Sequence, residues 1–569
     1  MKYSKLVEVY EKLSGTSKRL EKTAILAGFL PELKDNEEWI YLFRGRVFPD
    51  YDEREFGIST QLVIKAISKA SGVSPEFVVG KFKKMGDLGE IADQLFDKKR
   101  QSTLFSNALN VQKVFDNLQW LVGIEGKGAV DKKLSFVVEL LTSASGKEAK
   151  YIIRTLLNDL RVGVAEGILR DAIAEAFLHG VEDAQNKVES AYDRINDWAF
   201  ILKLSEKGAR ALDKVKVVPG KPMKVMLPIK VTDIDEAFRI CGKPLAVEHK
   251  YDGFRVIINK DEEGKISLFT RRLDNVTLQF PDVVEAVKEY IHGKSFVVDS
   301  EVVGYDSKTK KYKPFEAVSQ RIRRKYEIDK LVKSLPVEIN VFDIMHYNGD
   351  STIDLPFVER RKILEKIVKV HDMKIRLAKQ FVSDDKEKVI EFYKDALKIG
   401  EEGIMMKKLD APYRPGRRVG YMVKMKPEAN EFDLVITGAE YGTGKRAGGL
   451  TSFYVACKDG NKFLEVGKVS SGLKEKESEG VSYKEIDKIL RPLILKEDGK
   501  YAAVKPMVVV SVIYQNIQPS PRYNSGYALR FPRITNYRPE RGTHDIATLK
   551  DVEKEAKKER SWGMKGGVA

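Results

Sequence analysis

The stretch AVEHKYDGFRVII, Ala246 to Ile258, sets Glu248, Lys250, Asp252 and Arg255 among residues that otherwise read as two buried strands. A charged hairpin with Asp252-Gly253 at its turn is one explanation. A lysine nucleophile is the other. Lys250 ends a strand of buried type, just before a tight turn that could hold it facing a cleft. An amine attacks only when deprotonated, so its ordinary pKa of about 10.4 must fall. Burial, neighbouring cations and a bound metal ion each push it down. Lys-x-Asp-Gly alone is weak evidence in a chain this rich in lysine.

Later segments offer the partners such a lysine would need. LFTRRLDNV ends a strand with Arg271, and FVVDSEVVGYD places Asp299 and Glu301 on one face of a strand. VFDIM presents Phe342, an aromatic able to stack on a base. EEGIMMKK sets Glu402 before a glycine and an apolar run ending in Lys407. RPGRRVGYMVKMK carries Arg418, then Lys424 and Lys426 on one strand face. Singly, each has a bland explanation: a solvated strand face for the lysines, core for Phe342, a salt-bridge partner for Glu301. Together they suit attack of a lysine on the α-phosphate of a nucleotide. Cations hold the phosphates, Glu301 and Glu402 supply oxygen ligands of the kind Mg²⁺ takes, and the aromatic receives the base. No P-loop or Gly-x-Gly-x-x-Gly signature offers another phosphate cradle.

The elements that must position these residues change along the chain. Up to about residue 215, runs such as AKYIIRTLLNDL and ILRDAIAEAF space apolar residues by three and four, which predicts helices. VKVVPGKPMKVMLP reads as a connector. From Leu245, short β-rich runs alternate with helical ones up to about Pro427, an α+β pattern. From Phe432 further strands suggest a compact barrel. The expected domains are therefore 1–215, 216–427 and 428–569, and the charged, then glycine-rich end is expected to fray.

Composition agrees with a multidomain protein acting on a polyanion. The 569 residues are 43% hydrophobic and 32% charged, with a net charge of +16. Such a surface favours nucleic acid first and an anionic membrane second. No apolar run is long enough for a transmembrane helix, and the amphipathic N-terminus is not a signal peptide. Cys241 and Cys457 are the only cysteines; they cannot build a four-cysteine zinc site and suit a reducing cytosol.

The ordered set EHKYDGFR, FTRRLDNVT, DSEVV, FDIM, EGIMMK and YMVKMK resembles the covalent nucleotidyltransferase superfamily, and within it the ATP-dependent DNA ligases of archaea. GDLGEIADQLF and EAKYIIRTLLNDLRVGVAEGILRDAIAEAF resemble the ligase DNA-binding domain. EYGTGKRAGGLTSFYVAC and SPRYNSGYALRFPR resemble its OB-fold domain. The resemblance spans nearly the whole chain. It implies an all-α DNA-binding domain, an α+β adenylation domain and an all-β OB-fold domain. It implies that Lys250 is adenylylated by ATP with Mg²⁺, or Mn²⁺ or another divalent ion, and that AMP then passes to a nick in duplex DNA, as in replication, repair and recombination. Glu248 would contact adenine, partly through its backbone, and Phe342 would stack on it. Arg255 and Arg271 would hold ribose and phosphates, Glu301 and Glu402 would serve ribose and metal, and Arg418, Lys424 and Lys426 would contact phosphates. Where the family shows after RFPR an Arg-x-Asp-Lys element that helps orient pyrophosphate, this chain has YRPERGTHD: Arg538 opens the element, Glu540 and Arg541 keep the signs of Asp and Lys, and the planar Arg541 and backbone-fixing Pro539 alter the geometry.

The helical domain is expected to bind duplex mainly through phosphates, with Lys150, Arg154 and Arg161 as candidates and Gly163 allowing close approach. QSTLFS resembles a sliding-clamp-binding peptide anchored by Gln101, Leu104 and Phe105. A cytoplasmic monomer is expected. An RNA ligase or capping enzyme shares the lysine core but would not be expected to carry the N-terminal domain. An NAD-dependent ligase would need more cysteines. A non-catalytic DNA-binding scaffold would have no need of Lys250, Glu301 and Glu402 together.

Overall fold

Helical spacing dominates the first part of the chain, and a computed structural model places helices there from Tyr3–Ser14 to Ala209–Asp213. The structure describes residues 1–97, 109–313, 315–322, 324, 326–427, 430–442, 446, 448–475 and 477–564. Contacts divide the chain into two units. One holds residues 1–229, 252–379 and 407–422, the other residues 230–251, 380–406 and 423–569. Three domains are nevertheless distinct in their elements: an N-terminal helical domain, an adenylation domain, and a C-terminal OB-like domain of curled β-sheet.

The helical domain buries Tyr10, Phe43, Leu141, Ile152 and Leu169 in one core. The helix Gly146–Leu156 starts on a capping box, in which Ser145 and Glu148 satisfy each other's backbone N–H groups. All of its residues except Lys147 are buried.

The first unit also holds a twisted, mostly antiparallel sheet. Its order is Ile266–Thr270, Phe254–Lys260, Phe296–Gly304, Val337–Tyr347 and Asp350–Ser351, with Ile375–Leu377 pairing parallel to Val337–Tyr347. One face packs on the helices Pro281–Tyr290 and Phe357–Ile367 through Val256, Val298, Val341, Val287 and Leu364. Within this region Arg360 is paired with Asp343 at 2.6 Å, the two side chains being 1% and 2% exposed. Arg360 also donates to the carbonyls of Leu355 and Ala411, so this buried pair ties strand, helix and following loop together.

A second sheet has the order Ile229–Val231, Met422–Met425, Gly403–Lys408, Leu245–Lys250 and Gln380–Ser383. The two apolar runs of the opening stretch therefore do not form a hairpin. Leu245–Lys250 pairs with Gln380–Ser383 in this sheet, whereas Phe254–Lys260 pairs with Ile266–Thr270 and Phe296–Gly304 in the other.

In the OB-like domain the long strand Asn430–Tyr441 pairs with Leu450–Asp459, Tyr501–Val504 and Val509–Tyr514. Register shifts at Ile436/Gly438 and Glu440/Tyr441 bend it, which lets one strand serve both sides of a curled sheet. The charged part of the end, expected to fray, is instead helical over Leu549–Met564, while the glycine-rich residues 565–569 lie outside the described residues. Val552 and Ala556, four residues apart on one helical face, are buried in the barrel core. Among the described residues no helix is long and apolar enough to cross a membrane.

Removing one partner of the Asp343–Arg360 pair leaves an uncompensated buried charge. Arg360→Met is expected to cost about 3–5 kcal/mol in the unfolding transition of this region, measured by denaturant melts.

Candidate active site

Lys250 stands at the last position of Leu245–Lys250, where the strand gives way to Tyr251, Asp252 and Gly253. Its Nζ lies 2.5 Å from Glu402 Oε2, and the Lys426 ammonium pairs with the same oxygen. Strand geometry produces this meeting. Glu402 immediately precedes Gly403–Lys408, which lies between Leu245–Lys250 and Met422–Met425 in the sheet, and its backbone N–H donates to the Lys250 carbonyl at 2.9 Å. Lys426 follows the end of Met422–Met425, and Lys424 lies within that strand. Burial pushes the Glu402 carboxyl up, but the Lys250 and Lys426 charges outweigh it and hold it at about 2. Glu402 is therefore a carboxylate shared by two ammonium groups and not a proton store at neutral pH.

Glu248, two residues before Lys250, is 2% exposed. Its Oε1 accepts from Gln380 Nε2 at 2.7 Å, across the register pair Glu248–Gln380. Gln380 has no local signal in the sequence; only the pairing of its strand reveals it.

The first unit holds the other group. Gly253 leads into Phe254–Lys260, and a Cβ there would stand 2.4 Å from the Val302 carbonyl oxygen, so only glycine permits this approach. Arg255 faces Glu301 in register but makes its ion pair with fully buried Asp299, through Nε at 2.8 Å and Nη2 at 2.5 Å. Tyr413 Oη donates to the same carboxylate at 2.8 Å and accepts from Arg255 at 3.2 Å, while Arg255 Nη1 donates to the Met226 carbonyl at 2.9 Å. Burial would lower the Arg255 pKa, but Asp299 and the other groups around it hold it above its ordinary value. The guanidinium is thus a fixed cation at all working pH values.

Phe342 is partly buried, with the Lys407 ammonium 4.6 Å and the Arg255 guanidinium 5.5 Å from its ring centre. Those distances are in the range of cation–π attraction. Arg271 is exposed at the turn after Ile266–Thr270. Burial, then the charges of Arg255, Arg418 and Arg272, lower its pKa. Like charges gathered in this way attract an anion, as a nucleotide or DNA phosphate would be. Asp299 was visible in the sequence as a strand neighbour of Glu301. Tyr413 and the Met226 carbonyl were not, since a tyrosine among prolines and a backbone oxygen leave no pattern.

The remaining candidates have other surroundings. Lys150 is 9% exposed and paired with Glu11 and Glu90 at 3.2 Å each and Asp93 at 3.8 Å; Arg154 is 8% exposed and paired with Asp87 at 2.6 Å. Arg161 pairs with Asp87 at 3.0 Å and with Asp159 at 2.7 Å, its side chain 34% exposed. In the OB-like domain Arg538 pairs with Glu540 at 2.7 Å within its own turn, and Arg541 pairs with Asp433 at 2.5 Å. Gln101, Leu104 and Phe105 lie outside the described residues.

An adenylation-type core carrying this lysine, between a helical N-terminal domain and an OB-like C-terminal domain, defines a three-domain ligase architecture. Family models agree: "DNA ligase N terminus" matches residues 2–174, "ATP dependent DNA ligase domain" residues 225–426, and "ATP dependent DNA ligase C terminal region" residues 446–541. A DNA ligase of Nanoarchaeum equitans (strain Kin4-M) is 44% identical, covering 96% of this chain and 97% of the relative. One of Thermococcus fumicolans is 41% identical over 97% and 98%. The solved structure "Pmar-Lig_PreS3" shares the fold, with a TM-score of 0.55 at 16% identity, covering 94% of this chain and 99% of that one. The chain belongs to the ATP-dependent DNA ligases.

Because the Glu402 carboxyl is held at about 2, below its ordinary 4.5, its contribution to stability is present above 4.5 and lost as pH falls through about 2. In denaturant melts, the advantage of wild type over Glu402→Gln should hold near neutrality and shrink as pH falls from about 4.5 toward 2.

Proposed function

We propose that Lys250 is the nucleophile of this ligase, and the observation that carries the proposal is the pairing of its amine and Lys426 with one oxygen of Glu402. The Lys250 ammonium gives up a proton to solvent, the neutral Nζ attacks the α-phosphorus of ATP, a P–N bond forms, the bond to the leaving pyrophosphate breaks, and Nζ loses its second proton to solvent. AMP then passes from Nζ to the 5′-phosphate at a nick. The 3′-hydroxyl attacks that phosphate, a phosphodiester forms and AMP leaves. Phosphates arriving at the site compete with Glu402 for the two ammonium groups, which frees Lys426, with Lys424 beside it in sequence, for the α-phosphate.

Arg255, Arg271 and Arg418 grip ribose and phosphates. Phe342 stacks on adenine, and Glu248, held by Gln380, orients the base. Glu301 and Glu402 are the carboxylates for Mg²⁺, with Mn²⁺ as a substitute. Among the described residues no cluster of three or more His, Cys, Asp or Glu forms a metal cage. The donor set fits Mg²⁺, which keeps several waters and binds through one or two carboxylates plus substrate phosphates. When bound, the ion neutralises phosphate charge.

In the helical domain, Arg161 is the best placed of the three basic candidates for a DNA phosphate, because its side chain is the most exposed. Lys150 and Arg154, engaged by carboxylates, fix the helix beneath it. The segment with Gln101, Leu104 and Phe105 is proposed to dock on a sliding clamp, and the enzyme to act as a cytoplasmic monomer on nicked duplex during replication, repair and recombination.

Lys250→Ala is expected to form no acid-labile, alkali-stable adduct from labelled ATP and to seal no nick with ATP, yet to seal a pre-adenylated nick. Adduct formation at the wild-type level by that variant would remove Lys250 from the role.

Arg541→Ala is expected to slow lysyl-AMP formation by about tenfold or more, as loss of a charge-stabilising group does, while sealing of a pre-adenylated nick is unchanged. Single-turnover adduct formation at the normal rate would show that Arg541 serves only its pair with Asp433.

A further inference from the structure

The connector between the helical domain and the sheets is bonded on both sides. On one side lies the helix Ala184–Ile195. Lys224 N–H donates to the Asp193 carbonyl at 2.9 Å, and Lys224 Nζ pairs with Asp193 at 3.2 Å and Glu166 at 2.6 Å. Asn196 Nδ2 donates to the Pro222 carbonyl at 3.0 Å. On the other side the same short segment meets the Arg255 group. The Met226 carbonyl accepts from Arg255 Nη1, and Met226 N–H donates to Tyr413 Oη at 3.0 Å. Gly416 N–H donates to the Val225 carbonyl at 3.2 Å, and Leu227 N–H to the Arg417 carbonyl at 2.9 Å.

Two contacts lock this arrangement from the helical side. Asp193 is 2% exposed, and a Cβ on Gly416 would stand 2.3 Å from its Oδ2, so the loop backbone runs directly against the carboxylate. Gly416 has φ +71°, a second reason for glycine there. Arg417 pairs with Glu189 of the same helix at 2.9 Å, and Arg418 is the next residue. Burial pushes the Asp193 carboxyl up to about 6 against the pull of Lys224. A buried carboxylate that costs this much to ionise is expensive as mere packing.

We propose that Asp193 and Lys224 are positioning residues for the nucleotide site: through the connector Pro222–Leu227 they set the placement of Arg255 and of the loop carrying Arg418, and so couple the helical domain to the phosphate grip. This rests on the role of Arg255 and Arg418 proposed above. A residue acting in this way touches no substrate. Its loss shifts the guanidinium and the loop, and misplacement by about an ångström is enough to slow a reaction by about a hundredfold.

The test is a double-mutant cycle on lysyl-AMP formation, with ATP varied to separate KM from kcat. Lys224→Met and Asp193→Asn should each lower kcat/KM by about tenfold, and Lys224→Arg, which keeps the charge, should restore most of it. Combined with Arg255→Lys, either change should cost less than it does alone, because part of its effect runs through Arg255 and only the rest through the loop carrying Arg418. Rates at the wild-type level in Lys224→Met and Asp193→Asn, or losses that simply multiply in the Arg255→Lys background, would overturn the coupling. Arg255→Lys alone reports on the site itself: if it forms lysyl-AMP normally, the role of Arg255 fails and the coupling falls with it. Should Asp193→Asn fail to fold, Lys224→Met and Lys224→Arg decide by themselves.

Discussion

One carboxylate oxygen between two ammonium groups is the contact on which the proposed chemistry rests. Glu402 sits where three neighbouring strands end, so its position depends on the pairing of Leu245–Lys250, Gly403–Lys408 and Met422–Met425. Without the carboxylate, two lysines would face each other in a partly buried space. With it, both stay in place before any nucleotide arrives. The sheet thus holds the cations together against their mutual repulsion, which is what the proposed reaction asks of groups that are to meet a polyphosphate.

The Arg255 group follows a different logic. Its guanidinium is held by a side chain from a neighbouring strand, a tyrosine hydroxyl from a loop, and a backbone carbonyl from the connector. A planar fork with several donors can satisfy all three at once, where lysine could not. Arg255 is thereby anchored at a point that several parts of the chain share, while Arg271 nearby stays exposed and electrostatically unfavoured among cations. The proposed phosphate grip thus combines an anchored arginine with an exposed one.

Much of this was legible from the residues. Lys250, Glu402 and Lys426 each stand at the edge of a short strand bounded by turns, and period-two alternation places them. The same alternation is silent on which strands pair, so the opening stretch reads equally well as a hairpin until the sheets are seen. Helical spacing puts Lys150 and Arg154 on one face of a helix but cannot say what that face meets. The structure sets acidic Asp87, Glu90 and Asp93 against it. The C-terminal run reads as a fraying end because Val552 and Ala556, which reach the core, are sparse among charged residues. Gln380, Tyr413 and Met226 contribute an amide, a hydroxyl and a carbonyl, groups that no spacing rule marks.

The passage of the chain from one sheet to another within the opening stretch has a further consequence. Lys250 closes a strand of one sheet and Arg255 lies in a strand of the other, with only Tyr251, Asp252, Gly253 and Phe254 between them. In a strand, a slip of one residue turns every side chain to the opposite face. A one-residue slip of Leu245–Lys250 against Gln380–Ser383 would therefore take Glu248 out of register with Gln380 and turn its side chain to the other face. The pairing register of this short strand is consequently as strict a requirement as the identity of the residues it carries.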